Sequence, residues 1–153
     1  MNTPVAPTVR RAKPEDAARI AQLSEQLGYR SSAAETARRL TEIGRDGEDA
    51  VMVAEAGGVV LGWIHVRRAH SLLTEGQADI AGLVIDEQHR GRGIGRVLAE
   101  HAERWAGDKG CHAVRVRSNV ARTEAHIFYE RLGYEVTKSQ QVFTKSLAVE
   151  RVG

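Results

Sequence analysis

The sequence predicts an α/β protein built on a mixed, mostly antiparallel sheet of about seven strands flanked by four helices. Three observations predict it. Seven short runs have strand length and composition, and four longer ones carry apolar residues at helical spacing. Gly57-Gly58 separates two of the strand-like runs by a two-residue hairpin. A single helical stretch links the strand ending at Asp86 to the one starting at Cys111, which implies one crossover and not the regular alternation of a doubly wound fold.

The elements follow in order. Thr8 to Ala12 reads as a strand after a flexible start over residues 1–7. Pro14 suits a first helical turn because its missing N–H costs little there, and Glu15 and Asp16 favour the positive end. Ala17, Ile20, Ala21, Ser24 and Leu27 continue that helix to Gly28. Ser32 and Glu35 have capping-box spacing, opening a second helix with Ala37, Leu40 and Ile43 on one side. Ala50 to Ala56, Val59 to Arg67 and Ala78 to Asp86 are strands. Gly93 to Lys109 is a helix whose apolar stripe is Ile94, Val97, Leu98, Ala102 and Trp105. Cys111 to Arg117 is a strand, and Ala121 to Leu132 is a helix closed by Gly133. Tyr134 to Val136 and Gln141 to Leu147 complete the expected seven strands.

The 153 residues suit one domain, 1–153, and no repeat or linker divides them. A net charge of +2 gives no global electrostatic case for nucleic acid or a membrane surface. Cys111, the single cysteine, forms no internal disulfide, and no apolar run has the length of a bilayer span or a signal peptide. The expected location is the cytoplasm. The histidines and acids show no metal-ligand spacing, so no metal is expected.

The most informative stretch runs from Leu83 through Val84, Ile85 and Asp86 to Arg96. An apolar strand enters a turn with Gly91, Gly93 and Gly95 at alternate positions, and an amphipathic helix starts there. A helix N-terminus presents unpaired N–H groups and partial positive charge, glycine lets the backbone approach a ligand, and Arg90, Arg92 and Arg96 add cations. That combination suits a phosphate or pyrophosphate. No Lys-Ser/Thr pair follows, which excludes the P-loop, and the glycine spacing does not fit the dinucleotide fingerprint.

Gln88-His89-Arg90-Gly91-Arg92-Gly93 resembles the Gln/Arg-x-x-Gly-x-Gly/Ala motif of the GNAT superfamily of N-acetyltransferases. A second block, Ser118-Asn119 followed by Ala125 to Tyr134 with Phe128-Tyr129-Glu130-Arg131-Leu132-Gly133-Tyr134, resembles the same family, and the element order agrees over nearly the whole chain. The resemblance implies a splayed V between the fourth and fifth strands, acetyl-CoA as cosubstrate, and direct transfer of acetyl to an amine in a ternary complex. By position it implies backbone contacts to the pantetheine from Leu83, Val84 and Ile85, with the Val84 amide polarising the thioester carbonyl. It assigns the pyrophosphate to amides from Arg90, Gly91, Arg92, Gly93, Ile94, Gly95 and Arg96, and places Asn119 at a pantetheine-binding or helix-capping position.

Such a transfer needs a neutral amine, a stabilised oxyanion and a protonated leaving thiolate. The resemblance places Tyr129 as the acid. Asp79 lies on the thioester-binding strand, and strict alternation puts it on the face of Leu83 and Ile85, where it would orient the amine or take its proton through water. Glu75, His65 and His70 are helpers by position. Many family members carry an acidic or polar residue just before the Leu of this strand, and here that residue is Gly82.

The C-terminal stretch from Asn119, ending in Phe143-Thr144-Lys145-Ser146-Leu147, is similar to a bacterial subgroup that includes aminoalkylphosphonate acetyltransferases. The implied acceptor is a small primary amine, in a homodimer as is common in the family. An aminoglycoside or a protein amine is the alternative acceptor, and a non-catalytic CoA-binding sensor or interaction module the alternative class.

Overall fold

The computed structural model describes residues 6–118 and 122–148. It divides into two compact units, one ending at Arg117 and one beginning at Ser118. The first unit holds five strands, β1 (Thr8–Arg11), β2 (Asp49–Ala56), β3 (Val59–Ala69), β4 (Gln77–Ile85) and β5 (Ala113–Val116), in the spatial order β1-β2-β3-β4-β5. The first four are successively antiparallel, and β5 joins β4 in parallel. A parallel neighbour requires a crossover, and α3 (Ile94–Asp108) supplies it. The remaining helices of this unit are α1 (Ala17–Glu25), entered through a 3-10 turn at Pro14–Asp16, and α2 (Ala33–Ile43).

The local signals act as their chemistry dictates. Gly57 and Gly58 both have positive φ, +59° and +79°, which a two-residue hairpin of this twist demands. The capping box is formed: the Glu35 amide donates to Ser32 Oγ at 3.0 Å, and the Ser32 amide to Glu35 Oε1 at 3.2 Å. On α3, Ile94, Leu98, Ala102 and Trp105 are buried, as the stripe requires.

One sheet face carries Val53, Val60 and Val84, packed with Ile20 and Leu23 of α1 and with Leu40 of α2. The opposite face carries Gly62 and Ile64 and receives α3, whose Leu98 Cδ1 would lie 3.3 Å from a Cβ at Gly62. Leu23, Ile64, Leu98, Val53 and Val66 are the largest fully buried side chains. Each contributes about 1.5–3 kcal/mol over an exposed equivalent.

The second unit contains α4 (Thr123–Arg131), closed at Gly133 by a φ of +93°. Residues 134–148 form no strand, so the described residues hold five strands and not seven. A period-two pattern makes a strand only where a ladder partner accepts it, and Val136, Val142, Phe143 and Leu147 stay exposed here.

Candidate active site

β4 positions the site. Its ladder with β5 stops at Ile80–Val116, so among the described residues Ala81 to Ile85 have no strand partner on that side. This is the opening between the fourth and fifth strands. The other edge of β4 stays paired with β3 up to Ile85–Gly62, and the Asp86 amide then donates to Leu61 O at 2.8 Å. That bond fixes the alternation. Peptide groups two apart point the same way, so those of Val84 turn toward Trp63 on β3, and those of Leu83 and Ile85 turn into the opening. The expectation that the Val84 amide polarises the thioester is therefore corrected. Val84 is bound into the sheet and buries its side chain, and the free edge belongs to Leu83 and Ile85.

A second correction concerns Asp79. The β3 partner of β4 advances from His65–Gly82 to Val66–Ile80, leaving Ala81 as an extra residue. Such a bulge reverses the alternation. Leu83 and Ile85 oppose Ile64 and Gly62 on the α3 face, while Asp79 opposes Arg67 on the α1 face. Asp79 accepts from Arg115 Nε at 2.9 Å and from its Nη2 at 3.3 Å. The carboxylate holds the guanidinium in its charged state, raising Arg115 above its ordinary value.

The glycine turn follows. Asp86 is buried and accepts from Arg19 Nη2 (3.0 Å), Gln26 Nε2 (3.3 Å) and the Gln88 amide (3.3 Å), with His89 Nδ1 at 3.1 Å. Burial pushes its pKa up, but these bonds outweigh it and the net direction is down. Gln26 Oε1 also accepts from the Glu87 amide at 2.9 Å. The turn is thus anchored to α1. Gly91 and Gly93 have φ of +78° and +83°, and Gly93 is the N-cap of α3. The first helical bond there runs from Val97 to Gly93 O at 3.1 Å, which leaves the amides of Ile94, Gly95 and Arg96 outside the helical ladder. Arg90, Arg92 and Arg96 are exposed around them. This cradle fits a pyrophosphate by shape, partial charge and full charge.

A shallow, open cavity of about 390 Å³ lies at one end of the α1 face, lined among others by Asp46, Glu48, Asp49, Arg67, Asp79 and Arg115. His70, Ser71 and Thr74 extend it into the β3–β4 connection. Beside it His65 Nε2 meets Asp49 Oδ1 at 2.6 Å. Glu75, the remaining helper by position, is exposed.

In the second unit Tyr129 is half-buried on α4, its ring edge-on to Phe128 (5.1 Å) and Tyr134 (5.8 Å). Burial pushes its phenol up from the ordinary value, against a smaller lowering by Arg122. Asn119 lies outside the described residues. Sequence reasoning missed the Arg19–Gln26–Asp86 network, because nothing in a helical pattern shows which polar residue reaches a distant turn. It also missed the Arg115–Asp79 pair, although both residues stood in strands expected to lie near one another.

Residues 17–134 match the acetyltransferase (GNAT) family. The chain is 33% identical over 147 residues to an aminoglycoside N(6')-acetyltransferase type 1 of Stenotrophomonas maltophilia, covering 93% of this chain and 95% of that protein. It is 32% identical over 104 residues to a mycothiol acetyltransferase of Pseudarthrobacter chlorophenolicus, covering 66% of this chain and 32% of that one. Among solved structures, an aminoglycoside N-acetyltransferase in complex with CoA superposes with a TM-score of 0.83 at 18% identity, over 96% of this chain and 99% of that chain. Glucosamine-6-phosphate N-acetyltransferase from Arabidopsis thaliana gives 0.78 at 22% identity, over 92% and 99%. The glycine turn, the open edge of β4 and this kinship over nearly full length agree: the chain belongs to the GNAT family and is an acetyl-CoA-dependent N-acetyltransferase.

Proposed function

We propose that the acceptor is a primary amine of a small molecule, and that an aminoglycoside-type amino sugar is the class favoured. The observation that carries this is the relative that shares 95% of its length with this chain and is named for acetylating an aminoglycoside. The cavity supports it, since Asp46, Glu48, Asp49 and Asp79 offer carboxylates to a polycation. A second reading, an aminoalkylphosphonate, draws on Arg67, which lines the same cavity and has no ion-pair partner among the described residues.

In this reading Leu83 and Ile85 hold the pantetheine by their backbone, and one of their amides faces the thioester oxygen. Residues Arg90 to Arg96 hold the pyrophosphate, and Asn119 supports the pantetheine. Asp79, fixed by Arg115, orients the acceptor ammonium. Tyr129 donates a proton to the departing sulfur, and burial, which raises its phenol above the ordinary value, keeps that proton in place until the thiolate leaves.

We further propose that the chain works as one catalytic domain in a cytoplasmic homodimer. Among the described residues no helix is long and apolar enough to cross a membrane. The exposed Val142, Phe143 and Leu147 give a subunit contact an apolar surface. Light scattering in solution tests the dimer. Mass spectrometry of products from a mixture of an aminoglycoside and an aminoalkylphosphonate tests the acceptor. Acetylation of the aminoglycoside supports the first reading, and acetylation of the phosphonate alone replaces it with the second.

A further inference from the structure

We propose that His65, held by Asp49, is the base that takes the proton from the acceptor amine. The proposal rests on the acetyltransferase reading of the site and adds the residue that the reading lacks.

Position is the first argument. His65 lies on β3 directly opposite Gly82, within the stretch from Ala81 to Ile85 that among the described residues has no partner on the β5 side. It shares the α1 face with Arg67 and Asp79, and Asp49, its partner, lines the cavity. It therefore lies beside the acceptor cavity, one strand away from the open edge of β4.

Chemistry is the second. Asp49 Oδ1 lies 2.6 Å from His65 Nε2, and the two side chains are only 17% and 18% exposed. A carboxylate accepts, so in the neutral imidazole Nε2 carries the hydrogen and Nδ1 keeps the lone pair. Nδ1 makes no hydrogen bond to protein among the described residues. Asp49 thereby orients a base and stabilises the imidazolium that proton uptake creates. Asp79 is differently placed: Arg115 bonds both of its oxygens, which leaves it to orient the ammonium by its charge and not to take the proton. The charged groups that the strands carry on this face are Arg10 on β1, Asp49 and Glu55 on β2, Arg67 on β3, Asp79 on β4 and Arg115 on β5.

The step balances. The ammonium gives one proton to His65 Nδ1, which passes it to water through the open cavity. The freed nitrogen pair forms the N–C bond at the thioester carbon. The C–S bond breaks with its pair on sulfur, and sulfur takes a proton from Tyr129. The phenolate recovers a proton from the acetylated nitrogen, leaving amide, CoA thiol and one proton released.

The test compares wild type, His65→Gln and Asp49→Asn by thiol release against pH and by CoA affinity, with ¹⁵N NMR of the His65 imidazole. Gln can keep a bond to Asp49 but cannot take the proton. The expected result for His65→Gln is a kcat lower by about 100-fold or more, with CoA affinity and melting temperature unchanged. Its residual rate should climb with pH as free amine appears. Asp49→Asn should lower kcat less and shift the imidazole away from the Nε2–H tautomer. Wild-type turnover with His65→Gln within threefold of it would overturn the base while leaving the enzyme reading intact. A His65 held as the Nδ1–H tautomer in the wild type would overturn it as well. Absence of wild-type turnover on any amine would instead overturn the acceptor reading, and the base with it.

Discussion

The indole of Trp63 occupies the space that a side chain at Gly82 would fill. A Cβ at Gly82 would sit 2.7 Å from Trp63 Cη2 and 2.8 Å from Cζ3. Any side chain at this position of β4 would require the ring to shift. Gly82 has no side chain that could act as a base, whereas its partner on β3, His65, does.

The contact predicts that Gly82→Ala destabilises the fold by about 1–3 kcal/mol through overpacking. A smaller side chain at position 63 should relieve it. Urea denaturation of Gly82→Ala, Trp63→Leu and the double variant checks this, and the double variant should lose less than the sum of the single losses.

The anchor of the glycine turn predicts a coupled loss. Asp86→Ala leaves the Arg19 guanidinium and the Gln26 amide without their shared acceptor. The expected cost is about 2–4 kcal/mol in stability, since a buried network is broken at one member. The KM for acetyl-CoA should rise together with it, whereas Glu25→Ala on the same helix, which among the described residues pairs only with exposed Arg30, should leave that KM unchanged.

Gly93 has φ of +83°, where a Cβ is disfavoured although open space surrounds it. Gly93→Ala therefore acts through the backbone, at about 1–2 kcal/mol. Because those dihedrals aim the first amides of α3, CoA affinity measured by calorimetry should fall by about tenfold or more. The acceptor KM should change little.

Two buried acids set the response to acid. The Arg10 guanidinium, bonded to Asp16 at 2.8 and 2.9 Å, holds that carboxyl below its ordinary value of 3.8, and the bonds around Asp86 do the same despite its burial. A carboxyl depressed in the fold contributes stability that is complete above the unfolded value. That stability is lost as pH falls through the folded one. Stability should therefore decline below about pH 4. Asp16→Asn should be less stable at neutral pH and show a shallower acid decline in urea titrations.

Much of this was legible in the sequence, and the residues show why. Gly57-Gly58, the Ser32–Glu35 box and the α3 stripe are local devices whose geometry follows from a few neighbouring residues. The turn from Arg90 to Arg96 was legible for the same reason, because the glycines and the helix start are contiguous. The Ala81 bulge was not, since an extra residue shows only against the register of β3, and it reversed the face assigned to Asp79. The direction of the Val84 peptide was hidden likewise, being set by the Asp86–Leu61 bond. The alternation in Gln141 to Leu147 gave a pattern without a partner, and no strand forms there among the described residues. The His65–Asp49 pair needed β2 and β3 in register before the two could meet.

This chain transfers acetyl from acetyl-CoA to an amine, and Tyr129 is the acid we propose for it. The most direct measurement is thiol release from acetyl-CoA across aminoglycosides, aminoalkylphosphonates, polyamines and peptides, for wild type and Tyr129→Phe, with CoA affinity measured in parallel. The expected result is turnover on one amine class, and a kcat about 100-fold lower in Tyr129→Phe at unchanged CoA affinity. The wild type should also lose activity at alkaline pH, on a limb above the ordinary phenol value of 10.0 that the variant lacks. CoA binding without turnover on any amine, or equal turnover in Tyr129→Phe, would contradict it.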